Sequence, residues 1–201
     1  MREATVKLYK YSELPEEVKE KVRDWYRGIQ HELGDYTQAV SEFFRRELQT
    51  LGYPTKQVYW SLSNCQGDGM AFYGPIDREN LPKIRNRVLS RSSKARSVTD
   101  KALMNSVASM TISDINYHYN HYNSMSVSLE AECGVSDKLH GLLYELAMAI
   151  SDDIKEVSKD LENKGYKIIE DMEEDEYIDA RIEAQDEWEF YADGELWNER
   201  G

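Results

Sequence analysis

The chain has 201 residues, 40% of them hydrophobic and 31% charged, which suits one domain of generous size. It contains no run of 18 apolar residues, so the sequence excludes a transmembrane helix. Residues 1–11 lack the apolar segment of a secretory signal, and Cys65 and Cys133 are the only cysteines. We therefore expect reduced thiols and a cytoplasmic protein with no membrane partner.

The negative charge is unevenly distributed along the chain. The net charge is −13, and residues 137–201 hold 21 Asp and Glu against 7 Lys and Arg. Residues 1–136 are nearly neutral, with 17 acidic and 18 basic residues. A field of one sign argues against direct nucleic-acid binding and favours a basic partner.

The N-terminal quarter predicts a strand and two helices. Residues 4–11 alternate apolar and polar side chains, which is typical of a strand. Pro15 and the acidic residues after it are helix-start signals, and helical spacing of apolar residues continues over 15–31. A second amphipathic helix is predicted over 36–51, ended by Gly52 and Pro54.

Residues 57–74 predict a strand, a turn and a second strand. Apolar and polar residues alternate on both sides of a polar bend that contains Gly67-Asp68-Gly69. Two glycines around an aspartate permit positive φ and a tight reversal.

Residues 78–101 are basic, with 8 Lys and Arg against 2 Asp and Glu. A short helix is predicted from Leu81 to Leu89, followed by a loop at residues 90–94. Two interpretations stay open for this segment: a solvated insertion between strands, or a contact surface for phosphate or an acidic partner.

Residues 107–132 predict two antiparallel strands joined near 119–124. Tyrosines and histidines crowd the middle of this block: Tyr117, His118, Tyr119, His121 and Tyr122. They suit cross-strand packing, and an aromatic recognition face is the alternative. No carboxylate or third histidine is placed with His118 and His121, so we predict no metal site.

The C-terminal third predicts helices. A long amphipathic helix over 137–163 would end at Gly165 as its C′ residue, and a second would cover 166–186. A short strand is predicted near Trp188–Ala192, before a turn at Asp193-Gly194. The predicted fold class is α+β, an antiparallel sheet with amphipathic helices on one face and an acidic helical arm.

We expect one domain over residues 1–201. Residues 1–135 would form the sheet core, with the basic segment as a loop at 78–101. Residues 136–199 would form the acidic arm and a short terminal strand.

Gln66 and Asp68 are the polar side chains of the predicted bend. An aspartate there could act as a base or bind a cation, or it could stabilise its own turn. Cys65 is adjacent, but no Cys-His-Asn arrangement can be inferred around it. The chain lacks phosphate-binding loops, nucleophile elbows and zinc motifs, so we predict no enzyme activity, no catalytic residue and no cofactor.

The acidic arm is the main candidate for binding. Its proposed partner-binding residues are Glu170, Asp171, Glu173, Glu174, Asp175, Glu176, Asp179, Glu183, Asp186 and Glu187. Helical rise spaces these charges at distances of the same order as duplex phosphates, so the arm could occupy a Lys/Arg groove. The alternative is a solvated acidic helix that keeps the protein soluble. Like charges at i,i+3 and i,i+4 weaken a helix, which favours a use for them elsewhere.

The hairpin sequence YWSLSNCQGDGMAFYG at 59–74 resembles a family of small accessory proteins from tailed phages and prophages. Their shared strand reads aromatic-Ser-x-Ser-Gln-Gly-Asp-Gly-x-x-Phe-x-Gly, and Cys65 stands where serine is usual. Residues 188–195 look like the family's closing Glu-Phe-x-x-Asp-Gly, and the N-terminal strand and helix are similar too. The resemblance covers the hairpin and the chain ends. It supplies no catalytic residues.

The resemblance implies a viral accessory protein that counters host defence. Together with the acidic arm it predicts an anti-CRISPR-like inhibitor in the host cytoplasm, a DNA mimic that binds a basic groove of a defence ribonucleoprotein. One alternative is an antitoxin-like regulator that neutralises a partner protein, since some family members carry that label. Another is a ligand-binding or enzymatic protein centred on Gln66 and Asp68.

Overall fold

The computed structural model describes residues 5–89, 99–115 and 119–197, apart from the side chains of 31–33 and 35. The chain forms two compact units. Unit 1 comprises Met1–Val40 and Lys167–Gly201, and unit 2 comprises Ser41–Tyr166. The single domain expected from the sequence stays a prediction.

The described residues contain six α-helices and four β-strands, which confirms the α+β fold class. The helices are α1 Glu16–Leu33, α2 Asp35–Leu51, α3 Leu81–Leu89, α4 Asp100–Ser106, α5 Asp137–Glu173 and α6 Asp175–Glu183. The strands are β1 Gln57–Ser61, β2 Gly69–Pro75, β3 Val107–Asp114 and β4 Met125–Ala131. None of the helices in these ranges combines the length and apolarity that a membrane crossing requires.

The strands form one antiparallel sheet in the order β1-β2-β3-β4. Strands β1 and β2 pair from Gln57↔Tyr73 to Ser61↔Gly69, as the predicted hairpin requires. Strand β2 then pairs with β3 through its last two residues, Gly74 and Pro75. Strands β3 and β4 form the second predicted pair.

The core of unit 2 lies around β2. Met70 and Phe72 are fully buried, and the Ser158 hydroxyl of α5 donates to the Met70 carbonyl. Phe44 of α2 is also fully buried and meets the Trp60 ring edge-on at 6.1 Å. The apolar spacing that predicted the long helix and the second helix therefore supplies this core.

The core of unit 1 joins the first helix to the last. Its buried members are Tyr11, Leu14, Val22, Tyr26, Ile178, Ile182 and Phe190. Trp25 lies edge-on to Trp188 at 5.3 Å and to Phe190 at 6.4 Å. Aromatic pairs of this geometry add to the stability that burial alone supplies.

The two predicted terminal strands are not strands in the described residues. Tyr9 and Phe190 form an isolated antiparallel bridge, with N–H···O distances of 2.9 and 2.8 Å. Pairing stops there because a 3₁₀ turn begins at Tyr11 on one side. On the other side the chain reverses at Gly194, where φ is +93°, as the turn prediction required.

The prediction that Gly165 ends the long helix is wrong, because α5 runs through it to Glu173. A Cβ on Gly165 would lie 2.6 Å from Leu62 Cδ1 and 2.7 Å from Phe44 Cζ. Glycine therefore serves close packing here and not helix termination. The break before α6 falls at Glu174.

The other local predictions have mixed outcomes. Helices α1 and α2 confirm the two N-terminal helices, and α3 confirms the short helix after Leu81. Helix α4 was not predicted. The loop at 90–94 and the side chains of Tyr117 and His118 lie outside the described residues.

Candidate functional site

Nine of the ten carboxylates proposed for partner binding are exposed in unit 1, and Asp179 alone is half-buried. We call these nine residues the acidic surface: Glu170, Asp171, Glu173, Glu174, Asp175, Glu176, Glu183, Asp186 and Glu187. Unit 1 holds 22 Asp and Glu against 10 Lys and Arg, whereas unit 2 holds 16 against 15. Almost all of the net charge therefore belongs to unit 1.

Asp179 is bound within unit 1. Arg23 donates from Nε to Oδ1 at 2.6 Å and from Nη2 to Oδ2 at 2.8 Å, and the Tyr11 hydroxyl donates to Oδ1. The hydrogen bonds from Arg23 hold the pKa of Asp179 below its usual value, against the effect of burial. This carboxylate stabilises the packing of α1 and α6 and adds little to the outer field.

Some of the exposed carboxylates have nearby cations. Asp175 pairs with Arg27 and lies 3.8 Å from Arg23. Lys167 lies 3.1 Å from Glu170 and 2.8 Å from Asp171. Pairs this exposed contribute little stability, and a stronger competing cation can displace them.

Six members of the acidic surface form no ion pair with any residue in the described ranges: Glu173, Glu174, Glu176, Glu183, Asp186 and Glu187. They surround α6, whose apolar residues Ile178 and Ile182 are buried. A surplus of unpaired carboxylates attracts a basic surface over roughly a Debye length, about 8–10 Å at physiological salt. No group of three His, Cys, Asp or Glu in the described part of the chain is arranged to hold a metal ion.

Asp68 occupies the centre of the hairpin bend in unit 2. Its Oδ1 accepts from Ser61 Oγ and Ser63 Oγ, both at 3.0 Å, and from Cys65 Sγ at 3.3 Å. Its Oδ2 accepts from the backbone N–H of Ser63 at 2.7 Å, from that of Cys65 at 3.0 Å and from the Tyr166 hydroxyl. Each carboxylate oxygen thus has three donors.

These contacts decide the protonation state of Asp68. Burial opposes its ionisation, but the hydrogen bonds from Tyr166, Cys65 and Ser63 hold its pKa well below the usual range. Burial and the contact with Asp68 raise the pKa of Tyr166 to about 12. An ionised carboxylate with its acceptor sites occupied is a poor base, so the arrangement favours turn stabilisation.

Gln66, the other polar residue of the bend, is exposed and makes no hydrogen bond with another described residue. The two glycines beside it have a packing role. A Cβ on Gly67 would lie 3.3 Å from Tyr119 Cε1, and one on Gly69 would lie 2.4 Å from His121 Cβ. Part of the predicted Tyr/His cluster therefore packs on the hairpin.

The remaining members of that cluster have structural contacts. His121 Nδ1 accepts from the backbone N–H of Asn123 at 2.9 Å, which caps a short 3₁₀ turn. The ammonium of Lys159 lies 4.0 Å from the centre of the Tyr122 ring. Tyr119 keeps 55% of its surface exposed, so of the three it alone could serve recognition.

The basic segment is largely neutralised where it is described. Arg78 donates to the Val107 carbonyl at 2.7 Å and pairs with Glu132 at 3.0 Å, while Arg85 pairs with Asp100 at 2.7 Å. Arg87 Nε lies 2.9 Å from Asp153. These pairs weaken the phosphate-contact interpretation for the described part of 78–101.

Asp153 and Tyr166 are two central residues that sequence reasoning missed. Asp153 is 1% exposed and accepts from Arg87 and from the Tyr53 hydroxyl at 2.6 Å. Asp153 lies in the long helix next to other acidic residues, and this local sequence predicts a solvent-exposed side chain. The signal that could have found it is its register with Ile150 and Ile154 on the buried stripe.

No family model matches the chain, and the searches of curated proteins and of solved structures also found no match. The resemblance to phage accessory proteins therefore stays a prediction drawn from the hairpin and the chain ends.

Proposed function

We propose that the protein is a non-enzymatic inhibitor whose acidic surface binds a basic groove on another protein. The observation that carries this proposal is the concentration of charge in unit 1, where nine of the ten candidate carboxylates are exposed. Unit 2 has nearly equal numbers of acidic and basic residues, so the field comes from one part of the chain.

Mimicry of nucleic acid is the form of binding that the charge spacing supports. The nine carboxylates lie within residues 170–187, and a helical rise of about 1.5 Å per residue spaces them at roughly one charge per 3 Å, close to the spacing of about 3.4 Å along one DNA strand. The acidic surface covers the end of α5, the break at Glu174 and α6. A groove of Lys and Arg that follows the phosphates of one strand would meet carboxylates at a comparable linear density.

The partner that we propose is a host defence complex, such as a CRISPR effector or a restriction enzyme. The support for this choice is the hairpin motif at 59–74 and its resemblance to phage and prophage accessory proteins. An inhibitor of this kind acts in the host cytoplasm, where the complex must otherwise hold DNA or RNA. The phage origin rests on that resemblance.

The alternatives have less support. An enzymatic or ligand-binding hairpin would need Asp68 to have a free oxygen, and both oxygens have three donors. An antitoxin-like role predicts a co-purifying toxin, and no contact in the described residues favours it over inhibition of a nuclease.

Charge reversal tests the proposal. The variant Glu174→Lys/Glu183→Lys changes two exposed carboxylates of unit 1 that have no ion pair in the described ranges. The matched control is Glu79→Lys/Asp152→Lys, which makes the same change in net charge on exposed residues of unit 2. Binding is measured by competition with labelled duplex DNA for purified CRISPR effectors and restriction enzymes at several salt concentrations.

We expect the unchanged protein to displace DNA, and to do so less well as salt rises. The unit 1 variant should lose at least about tenfold in affinity, a change of about 1.4 kcal/mol. The unit 2 variant should bind normally. Equal affinities of the two variants, or displacement that does not depend on salt, would contradict the mimicry proposal.

A further inference from the structure

Unit 2 contains a pocket of about 430 Å³ beside the start of β1 and the end of β2. Its volume lies within the range of about 300–1,000 Å³ that is usual for small-molecule sites. The acidic surface contributes no residue to it, because every lining residue lies between 49 and 80. The pocket is therefore independent of the proposed inhibitory function.

The pocket has aromatic and proline walls. Tyr53 and Tyr73 line it while their hydroxyls are bonded elsewhere: Tyr53 donates to Asp153 at 2.6 Å, and Tyr73 lies 2.8 Å from Ser124 Oγ. The two tyrosines are only 3% and 6% exposed, so each offers a narrow strip of ring carbon to an occupant. Pro54 and Pro75 add two further apolar walls. Such walls suit a flat ring.

Three side-chain amides stand around these walls, on Gln49, Gln57 and Asn80. None of the three makes a hydrogen bond with another described residue. Asn80 is half-buried and packs over Gly52, where an added Cβ would lie 3.2 Å from Asn80 Cβ. Gly52 has φ +89°, a conformation that favours glycine. The absence of a Cβ at this position also leaves room for the Asn80 side chain.

The charges at the pocket cancel. Lys56 and Asp77 line it, and they are its only ionisable residues apart from the two tyrosines. One cation and one anion give no preference for a phosphate or for a free amine. Each amide offers both a donor and an acceptor, so the site matches a neutral ligand whose edge carries both.

We propose that this pocket binds an uncharged planar heterocycle with a donor–acceptor edge, the chemistry of a nucleobase or nucleoside. Asn and Gln recognise such edges through paired hydrogen bonds, while Pro54 and Pro75 contact the ring faces. A phosphate on the ligand would gain nothing here, because the charges of Lys56 and Asp77 cancel.

Saturation-transfer NMR with the full chain tests the proposal. The probes are adenosine, guanosine, cytidine and uridine, each at about 1 mM. The matching 5′-monophosphates form the second arm. The variants are Asn80→Ala and Gln57→Ala, and Gln66→Ala is the matched control because Gln66 is an exposed amide of the same unit outside the pocket. Circular dichroism checks that each variant is folded.

We expect transfer to at least one nucleoside, with affinity reduced about tenfold in each pocket variant and unchanged in Gln66→Ala. The monophosphate should bind no better than its nucleoside. Absence of transfer to all four nucleosides would overturn the proposal. So would preference for the monophosphates, or binding that neither pocket variant weakens.

Discussion

Replacing Gly165 by alanine should destabilise unit 2, although alanine is the better helix former. Gly165 lies inside α5, and removing a mid-helix glycine normally stabilises by about 0.8–1 kcal/mol. Here the added Cβ would lie 2.7 Å from Phe44 Cζ and 2.6 Å from Leu62 Cδ1. The Leu62 methyl ends a flexible, half-buried side chain and can move aside.

The Phe44 ring has less freedom to move, and it decides whether Gly165→Ala stabilises or destabilises the protein. It is fully buried and meets the Trp60 ring edge-on at 6.1 Å. Overpacking of a core typically costs about 1–3 kcal/mol, and a rigid ring should place this site in the upper half of that range. Subtracting the propensity gain gives a net loss of about 1–2 kcal/mol in the free energy of unfolding.

Gly141 provides the matched control in the same helix. It is exposed and a Cβ there would meet nothing within 4 Å, so Gly141→Ala should stabilise by about 0.8–1 kcal/mol. Urea unfolding followed by far-UV circular dichroism measures both variants. In a protein that carries Phe44→Leu, Gly165→Ala should cost less free energy of unfolding, because the ring that the new Cβ would contact is absent. A Gly165→Ala protein as stable as the unchanged chain would refute this reasoning.

Three further predictions concern the bound carboxylates. Asp153→Ala should lower the free energy of unfolding by about 2–3 kcal/mol in urea titrations, because it removes a buried carboxylate that accepts from both Arg87 and the Tyr53 hydroxyl. Arg23→Lys should destabilise unit 1 by about 1–2 kcal/mol, since lysine cannot reproduce the two-point contact with Asp179, and hydrogen exchange in α6 should rise. Asp68 and Asp179 have lowered pKa values in the folded chain, so their stabilisation is complete above about pH 4 and is lost as the pH falls further. The urea midpoint should drop over that acidic range, and Asp179→Asn should flatten the drop.

Local patterns predicted the elements with strong periodicity. The alternation in residues 57–74 placed the hairpin, and apolar spacing placed α1, α2 and most of α5. The mistakes fall where one residue type serves two purposes. A glycine near a helix end predicts termination, but at Gly165 it permits close contact with Phe44. An alternating terminal segment predicts a strand, but at Tyr9 it forms one bridge.

The sequence predicted which acidic residues belong to the candidate site, but it did not predict which of them are bound by other side chains. The sequence analysis grouped Asp179 with the exposed carboxylates of the arm. It could not show that Asp179 is bound, because its partner Arg23 is 156 residues away. The bend around Asp68 was recognised as a turn, but its donor Tyr166 is 98 residues away. The sequence around Asp153 is that of a solvated helix residue, because its partner Arg87 is 66 residues away and leaves no local signal.

The sequence by itself determined the α+β class, the hairpin and the concentration of acidic residues near the C-terminus, because these depend on composition and on short periods. Only the tertiary structure decided which carboxylates face solvent and which are bound. A carboxylate's environment depends on donors that arrive from distant parts of the chain, and no local pattern records them. The tertiary structure also leaves the acidic surface exposed on unit 1 and forms the amide-lined pocket of unit 2.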